Sequence, residues 1–328
     1  MAGPHPAIAQ IRLGVRRSLH GLAAGDLVLA ACSGGADSLA LAAALAFEAP
    51  RLGLRGGGVT VDHGLQPGSA EQADKVTRVL AALRLDPVRS IAVAVAGPGN
   101  GAGPEAAART ARYAALDECA SATGATVILL GHTMDDQAET VLLGLARGSG
   151  ARSLAGMARR NGRYLRPLLA IGRAQTRAAC AAAGLEPWED PQNSDAAFAR
   201  VRVRSQILPV MEELLGPGVA DALARSADQL RADADALDSL ASAQASALAA
   251  GDGALAADAL GALPAAIRTR VLRSAAIAAG CPAGALSARH VSEMDAMVML
   301  WRGQRWTDLP GGVRCQRRCG RLLFTAGA

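Results

Sequence analysis

Residues 27–38 constrain the fold of this chain more than any other stretch. Six small or apolar residues, Leu27-Val28-Leu29-Ala30-Ala31-Cys32, run straight into Ser33-Gly34-Gly35-Ala36-Asp37-Ser38, and an Ala/Leu-rich helical pattern follows. A short apolar run bounded by glycines reads as a buried strand, and a strand that turns directly into a helix belongs to a sheet wrapped by helices. The same rhythm continues through the first 150 residues, with strands expected at 27–32, 58–62, 88–95 and 126–131. Between them the spacing predicts a helix opened by a Ser69/Gln72 capping box and running to about Leu83, and another that Pro104 opens and Gly124 ends. The expected fold class is α/β: a Rossmann-like parallel sheet with flanking helices.

A chain of 328 residues is long enough for two domains and a connector. Hydrophobic residues make up 51% and aromatic ones only 2%, so the core is expected to be aliphatic. A helix carrying Arg200, Arg202 and Arg204 is expected after Pro191, and residues 97–103 read as a glycine-rich surface loop. Leu223, Leu230 and Leu237 recur every seven residues on an Ala-rich segment, 221–249, read as a connecting helix. The same repeat also fits a coiled-coil seam in a homodimer. The expected division is therefore 1–215, a connector at 216–250, and a small helical or α+β module at 251–328.

Charge is distributed unevenly over these parts. From residue 261 onward, ten arginines (268, 270, 273, 289, 302, 305, 314, 317, 318 and 321) face only Glu293, Asp295 and Asp308. A basic module of this kind suits a polyanion. The other reading is a general preference for arginine, since Lys75 is the only lysine. No run of apolar residues is long enough for a membrane span and no leader pattern opens the chain, so a cytoplasmic protein is expected. The six cysteines form no Cys-x-x-Cys pair and read as reduced thiols, with Cys315 and Cys319 too sparse to define a zinc site.

The loop at 33–38 gathers backbone N–H groups and a helix N-terminus at one point, which favours a phosphate. Gly34 and Gly35 let phosphate oxygens approach the backbone, Ser33 and Ser38 supply hydroxyls, and Asp37 is a candidate ligand for Mg²⁺. A loop for γ-phosphoryl transfer would carry Gly-Lys-Ser or Gly-Lys-Thr. This one has an acid and no lysine, which suits attack at the α-phosphate with diphosphate leaving. A plain strand-to-helix turn is the alternative.

Two more segments end expected strands, at the sheet edge where ligands bind. They are Val61-Asp62-His63-Gly64-Leu65 and Gly131-His132-Thr133-Met134-Asp135-Asp136-Gln137-Ala138-Glu139-Thr140. A helix beginning near Thr133 would put His132, Asp136 and Glu139 or Thr140 on one face. Such a group could bind Mg²⁺, position an amine or relay a proton, or could simply cap the helix.

These segments resemble the tRNA(Ile)-lysidine synthetases of the N-type ATP pyrophosphatase (PP-loop) superfamily. The resemblance also covers Ala108-Arg109-Thr110-Ala111-Arg112-Tyr113, Arg147-Gly148-Ser149-Gly150, and Asp190-Pro191-Gln192-Asn193-Ser194 leading into Arg200-Val201-Arg202-Val203-Arg204. It spans roughly residues 25–215. It implies an adenine nucleotide alpha hydrolase-like catalytic domain, a tRNA-binding C-terminal module, and a carbon–nitrogen ligase forming AMP and diphosphate. The implied partners are ATP, Mg²⁺, L-lysine and tRNA(Ile) with a CAU anticodon. By the resemblance, residues 33–38 hold the phosphates, Asp37 and Asp136 serve Mg²⁺ or the adenylyl group, and His132 contacts the adenylyl phosphate. Glu139 becomes a candidate clamp for lysine, and Arg109, Arg112, Arg200 and Arg204 candidates for phosphate or tRNA.

Two rival readings remain. A PP-loop tRNA thiolation enzyme would share the adenylylation but commonly needs paired cysteines that this chain lacks. A non-catalytic RNA-binding protein could keep ATP as a structural ligand, yet has no chemical need for Asp37, His132 and Asp136 together.

Overall fold

The computed structural model describes residues 3–62, 64, 68–93, 104–148, 150–190, 195–248, 254–304 and 306–326. His63, the loop at 97–103, Ser149 and the stretch 191–194 therefore lie outside the described residues. The chain divides into two compact units, Met1–Leu230 and Arg231–Ala328.

The first unit is built on six strands: β1 (Leu27–Ala31), β2 (Arg55–Asp62), β3 (Val88–Ala92), β4 (Ala125–Leu130), β5 (Arg160–Asn161) and β6 (Tyr164–Leu165). Their order is β3-β2-β1-β4-β6-β5, parallel except for β5, which runs antiparallel to β6. Strand order reverses between β1 and β4, and in open α/β sheets ligands settle in the crevice at that switch. Alternation along β1 explains why it is buried on both sides. Val28 and Ala30 face a core shared with α1 (Pro6–Ser18), α2 (Ala36–Glu48), α3 (Ser69–Ala82) and α7 (Arg173–Ala182). Leu27, Leu29 and Ala31 face a second core that includes Leu116, Cys119 and Ala120 of α4 (Pro104–Thr123). α4 opens and ends where Pro104 and Gly124 place it.

Local chemistry departs from expectation at several points. β2 begins at Arg55, three residues early, because Leu80 and Leu85 pack over its glycines and fill the space side chains would take. The Ser69/Gln72 capping box does not form. Ser69 is already the first helical residue, Gly68 at φ +80° is the N-cap, and no side chain caps the helix. The described part of the third strand ends at Ala92. Past α5 (Met134–Ala146) and α6 (Ala151–Leu154), the arginine-bearing segment starts as α8 (Ala199–Arg202). It widens into a π turn at Val203–Ile207 and resumes as α9 (Leu208–Leu215). Such turns are frequent at functional sites.

The connecting helix α10 runs Val219–Leu248. Its buried residues are alanines at 224, 227, 234 and 241, while Leu223 packs beside Val203 and Leu208.

In the second unit, Leu237 and Ala241 of α10 join the core of α11 (Ala257–Gly261), α12 (Ala265–Ala278) and α13 (Ala288–Met299). An antiparallel sheet closes it: β7 (Leu255–Ala256), β10 (Arg321–Ala326), β9 (Val313–Arg318) and β8 (Thr307–Leu309), in that spatial order. Cys315 is buried in this core, whereas Cys319 is exposed in the β9–β10 turn. With Gly320 it adopts positive φ, as a two-residue hairpin turn requires. Much of the module's basic charge is already used. Arg268 pairs with Asp295, Arg270 with Asp238 and Arg289 with Glu293, and Arg273 donates to the carbonyls of Leu286 and Ala283. Among the described residues, no helix is long and apolar enough to cross a membrane.

Candidate active site at the switch point

The loop leaving β1 is closed by its own atoms. Ser38 Oγ accepts the Ser33 N–H at 3.1 Å and donates to the Gly35 carbonyl at 2.9 Å. The Ser38 hydroxyl is thus committed to loop shape, which leaves Ser33, exposed, as the hydroxyl open to a ligand. Gly34 sits at φ +88°, and a Cβ there would come within 2.8 Å of Gln72 Nε2 and 2.9 Å of Val76 Cγ2. Its carbonyl accepts the Trp188 N–H at 2.9 Å, which ties the loop to the Glu186–Asp190 stretch. Residues 36–38 form the first turn of α2, so the helix N-terminus faces the same point.

The loop leaving β4 arrives beside it. A Cβ on Gly131 would lie 3.1 Å from the Ser38 nitrogen, so any side chain there would press the two backbones apart. Thr133 is the N-cap of α5 and forms a capping box with Asp136, whose Oδ2 accepts the Thr133 N–H at 2.8 Å. His132 therefore precedes the helix, so the expected shared face holds for Asp136 and Glu139 but not for the histidine. Thr140 donates its hydroxyl back to the Asp136 carbonyl. Burial pushes the His132 imidazole down to about 3, and the charges of Arg166, Arg112 and Arg109 add to this against the pull of Asp136. The ring is neutral near pH 7, and its Nδ1 is buried with no hydrogen-bond partner among the described residues. It can act as a hydrogen-bonding group towards a ligand but not as a standing cation.

Arg173 is the hub of the site and was not anticipated. Its guanidinium stands 2.5 Å from Asp136 Oδ1, 3.2 Å from Glu139 Oε1 and 3.5 Å from Asp37 Oδ2, and its backbone N–H donates to Asp135 at 2.8 Å. Arg204, in the π turn, donates to both oxygens of Glu139 at 2.7 and 3.2 Å and lies 3.6 Å from Asp136. Asp37 also accepts the hydroxyl of Thr176. One signal in the sequence pointed this way. Arg173 opens α7, and a cation at a helix N-terminus opposes the macrodipole, so its partners had to come from elsewhere in the fold.

The two aspartates are shifted in opposite directions. Burial raises the Asp136 pKa, but Arg173, the Thr133 N–H, His132 and Arg204 outweigh it and the net shift is downward. Asp37 is pushed upward by burial, which its hydrogen bond to Thr176 and its longer contact with Arg173 only partly offset. Glu139 is fully buried with both oxygens on guanidinium groups, so the expected lysine clamp is occupied by this chain's own arginines. Asp37 and Asp136 converge on one guanidinium, and two hard oxygen donors beside a phosphate loop suit Mg²⁺ with phosphate oxygens completing its shell. Among the described residues, no group of three or more His, Cys, Asp or Glu side chains could hold a metal ion unaided.

Next to the loop lies a cavity of about 320 Å³ between β1, β2, α3 and α4. Val59, Val61, Val76 and Leu116 give it apolar walls, while Ser33, Asp62, Gln72 and Arg112 supply polar edges. Burial lowers the Arg112 pKa, though the group remains a cation. Trp188 and Asp190 line the cavity too; Trp188 is absent from the sequence motifs, and Gln72, expected as a helix cap, instead lines the cavity. Of the remaining candidates, Arg109 is exposed over the Tyr113 ring and Arg200 is half-buried on α8. Neither joins the network or lines the cavity.

Comparison with known proteins bears on the same residues. The PP-loop domain family model matches residues 15–211, and the TilS substrate binding domain model matches residues 255–323. A tRNA(Ile)-lysidine synthase of Thermobifida fusca (strain YX) is 58% identical, covering 99% of this chain and 100% of its own length. One from Streptomyces coelicolor is 52% identical, with 99% and 100% covered. Among solved structures, the U34-tRNA thiolase NcsA from Methanococcus maripaludis with its 4Fe-4S cluster superposes with a TM-score of 0.57 at 18% identity, covering 68% of this chain and 79% of that one. That likeness concerns the fold alone. By its matching domains and its full-length relatives, the chain belongs to the tRNA(Ile)-lysidine synthase family.

Proposed function

We propose that this protein joins L-lysine to C2 of the wobble cytidine of tRNA(Ile), with ATP converted to AMP and diphosphate. The observation that carries this reading is the juxtaposition at the switch point. A lysine-free glycine loop, two carboxylates and a cavity with apolar walls meet where β1 and β4 end.

The base and ribose of ATP fit the cavity, which leaves the triphosphate along residues 33–38. The cytidine O2 attacks the α-phosphorus, a P–O bond to the outer phosphates breaks, and diphosphate leaves. An amine of free lysine then attacks C2, the C2–O2 bond breaks, AMP departs with that oxygen, and the amine loses a proton. The first step turns a poor leaving group into a good one.

Asp37 and Asp136 would hold Mg²⁺, which neutralises phosphate charge when bound. Neutral His132 hydrogen-bonds the adenylyl phosphate through its Nδ1, which has no partner among the described residues, and Arg112 supplies a fixed cation at the cavity edge. Glu139 orients Arg173 and Arg204, so a lysine ammonium reaching it has to displace one of them. Arg109 and Arg200, lying outside the network, are assigned to the tRNA backbone. The reaction is placed in the cytoplasm, where tRNA and ATP are available.

Mass analysis of tRNA(Ile) after incubation with ATP, Mg²⁺ and isotope-labelled lysine tests this. The cytidine should gain one lysine less one water. Exchange of oxygen for sulfur, or an unaltered tRNA, would reject the reading.

A further inference from the structure

The C-terminal sheet has two unlike faces. Its strand registers put Leu309, Val313, Cys315 and Leu322 on the side that closes the helical core. Asp308, Arg314, Gln316, Arg318 and Thr325 fall on the opposite side. Trp306, just before β8, joins this outer face. Its indole N–H donates to Asp308 Oδ2 at 3.3 Å, and the Arg314 guanidinium carbon stands 4.5 Å from the ring centroid. Arg314 Nε donates to Asp308 Oδ1 at 2.9 Å. Asp308 thus fixes the indole and the guanidinium together, yet Trp306 remains 43% exposed.

The chain has only three tryptophans, so an indole placed here and not in a core calls for a ligand. Arg314 already has Asp308, so the features required are a flat partner for the ring and negative charge for exposed Arg318. An apolar protein surface would desolvate Arg318 without compensation, whereas single-stranded nucleic acid offers both a π-face and phosphates. Trp301 is differently placed. Its ring faces Arg317, which donates to the carbonyls of Met297 and Val298 and so closes the end of α13.

We propose that Trp306, backed by Arg314 and flanked by Arg318, is a stacking site for an unpaired base of the tRNA substrate. This rests on the tRNA reading above. Stacking releases no counterions, and this separates it from phosphate contact.

The test is titration of the full chain with a tRNA(Ile) transcript bearing the CAU anticodon, over a range of salt concentrations. Trp306→Ala should weaken binding about tenfold without altering the salt slope, and Trp306→Phe should recover most of the loss. Arg318→Gln should instead lower the slope by about one. Unchanged affinity in Trp306→Ala, a loss that phenylalanine does not restore, or a loss carried by a lower slope overturns the proposal. Failure of the ligase reading would show separately, as tRNA binding that depends on Trp306 while the parent protein makes no lysidine.

Discussion

The phosphate loop and the carboxylate network meet at one point but are held by different kinds of contact. In the loop, Ser33, Gly35 and Ser38 bond one another across at most five positions. In the network, the partners are 34 to 139 positions apart: Arg173 with Glu139 and Asp136, Arg204 with Glu139, and Thr176 with Asp37. Local contacts fix where a phosphate can sit. The distant ones decide where the acids point and what charge stands beside them, so shape and electrostatics are set by separate parts of the chain.

Substitutions can break this division, and the largest effect is expected where the two parts share a residue. Asp37→Ala should slow diphosphate release on the order of a thousandfold, since it removes one of the two carboxylates proposed to hold Mg²⁺ at the reacting phosphate. A rate within tenfold of the parent would mean the loop works without its acid.

Glu139→Gln tests the network alone. Removing one member of a buried ion pair costs about 3–5 kcal/mol. The arginines here are partly open to solvent, so a loss of about 2 kcal/mol is expected from urea unfolding. If Glu139 orients both guanidinium groups, the KM values for ATP and lysine should rise together. A rise confined to lysine would restore the clamp role to this residue.

The histidine gives a pH signature. Its folded pKa of about 3 lies below the ordinary value of 6.5, so folding favours the neutral ring. The associated stability is fully present above pH 6.5 and is lost as pH falls from there towards 3. Between pH 7 and 5 the parent protein should lose about 1–2 kcal/mol more than His132→Gln. Parallel unfolding curves at both pH values would contradict the burial of this ring.

The smallest effect belongs to the loop hydroxyl. Ser38→Ala removes bonds that only shape the loop, so about 1 kcal/mol of stability and a severalfold rise in KM for ATP are expected. A complete loss of activity would show that Ser38 meets the nucleotide directly.

The same division explains what could be read in advance. The strands and the loop carry their signals in consecutive residues, as in the apolar run ending at Cys32 and the glycines after it. Thr133 and Asp136 likewise sit at cap spacing, although only the structure showed that their box closes and leaves His132 outside the helix. Arg173 had no such neighbourhood, because its three acids arrive from the first turn of α2 and from α5, and it is brought to them by the packing of α7. Trp188 reaches the loop through a backbone bond to Gly34, which no residue pattern encodes. At Ser69 the pattern matched a capping box, but the left-handed Gly68 started the helix one residue early.

The most direct test follows the phosphates themselves. With ATP labelled separately at the α and γ positions, and with lysine and tRNA(Ile) present, the α label should appear in AMP and the γ label in diphosphate, both in step with lysidine. Recovery of ADP and orthophosphate would contradict the assignment of this loop to attack at the α-phosphorus.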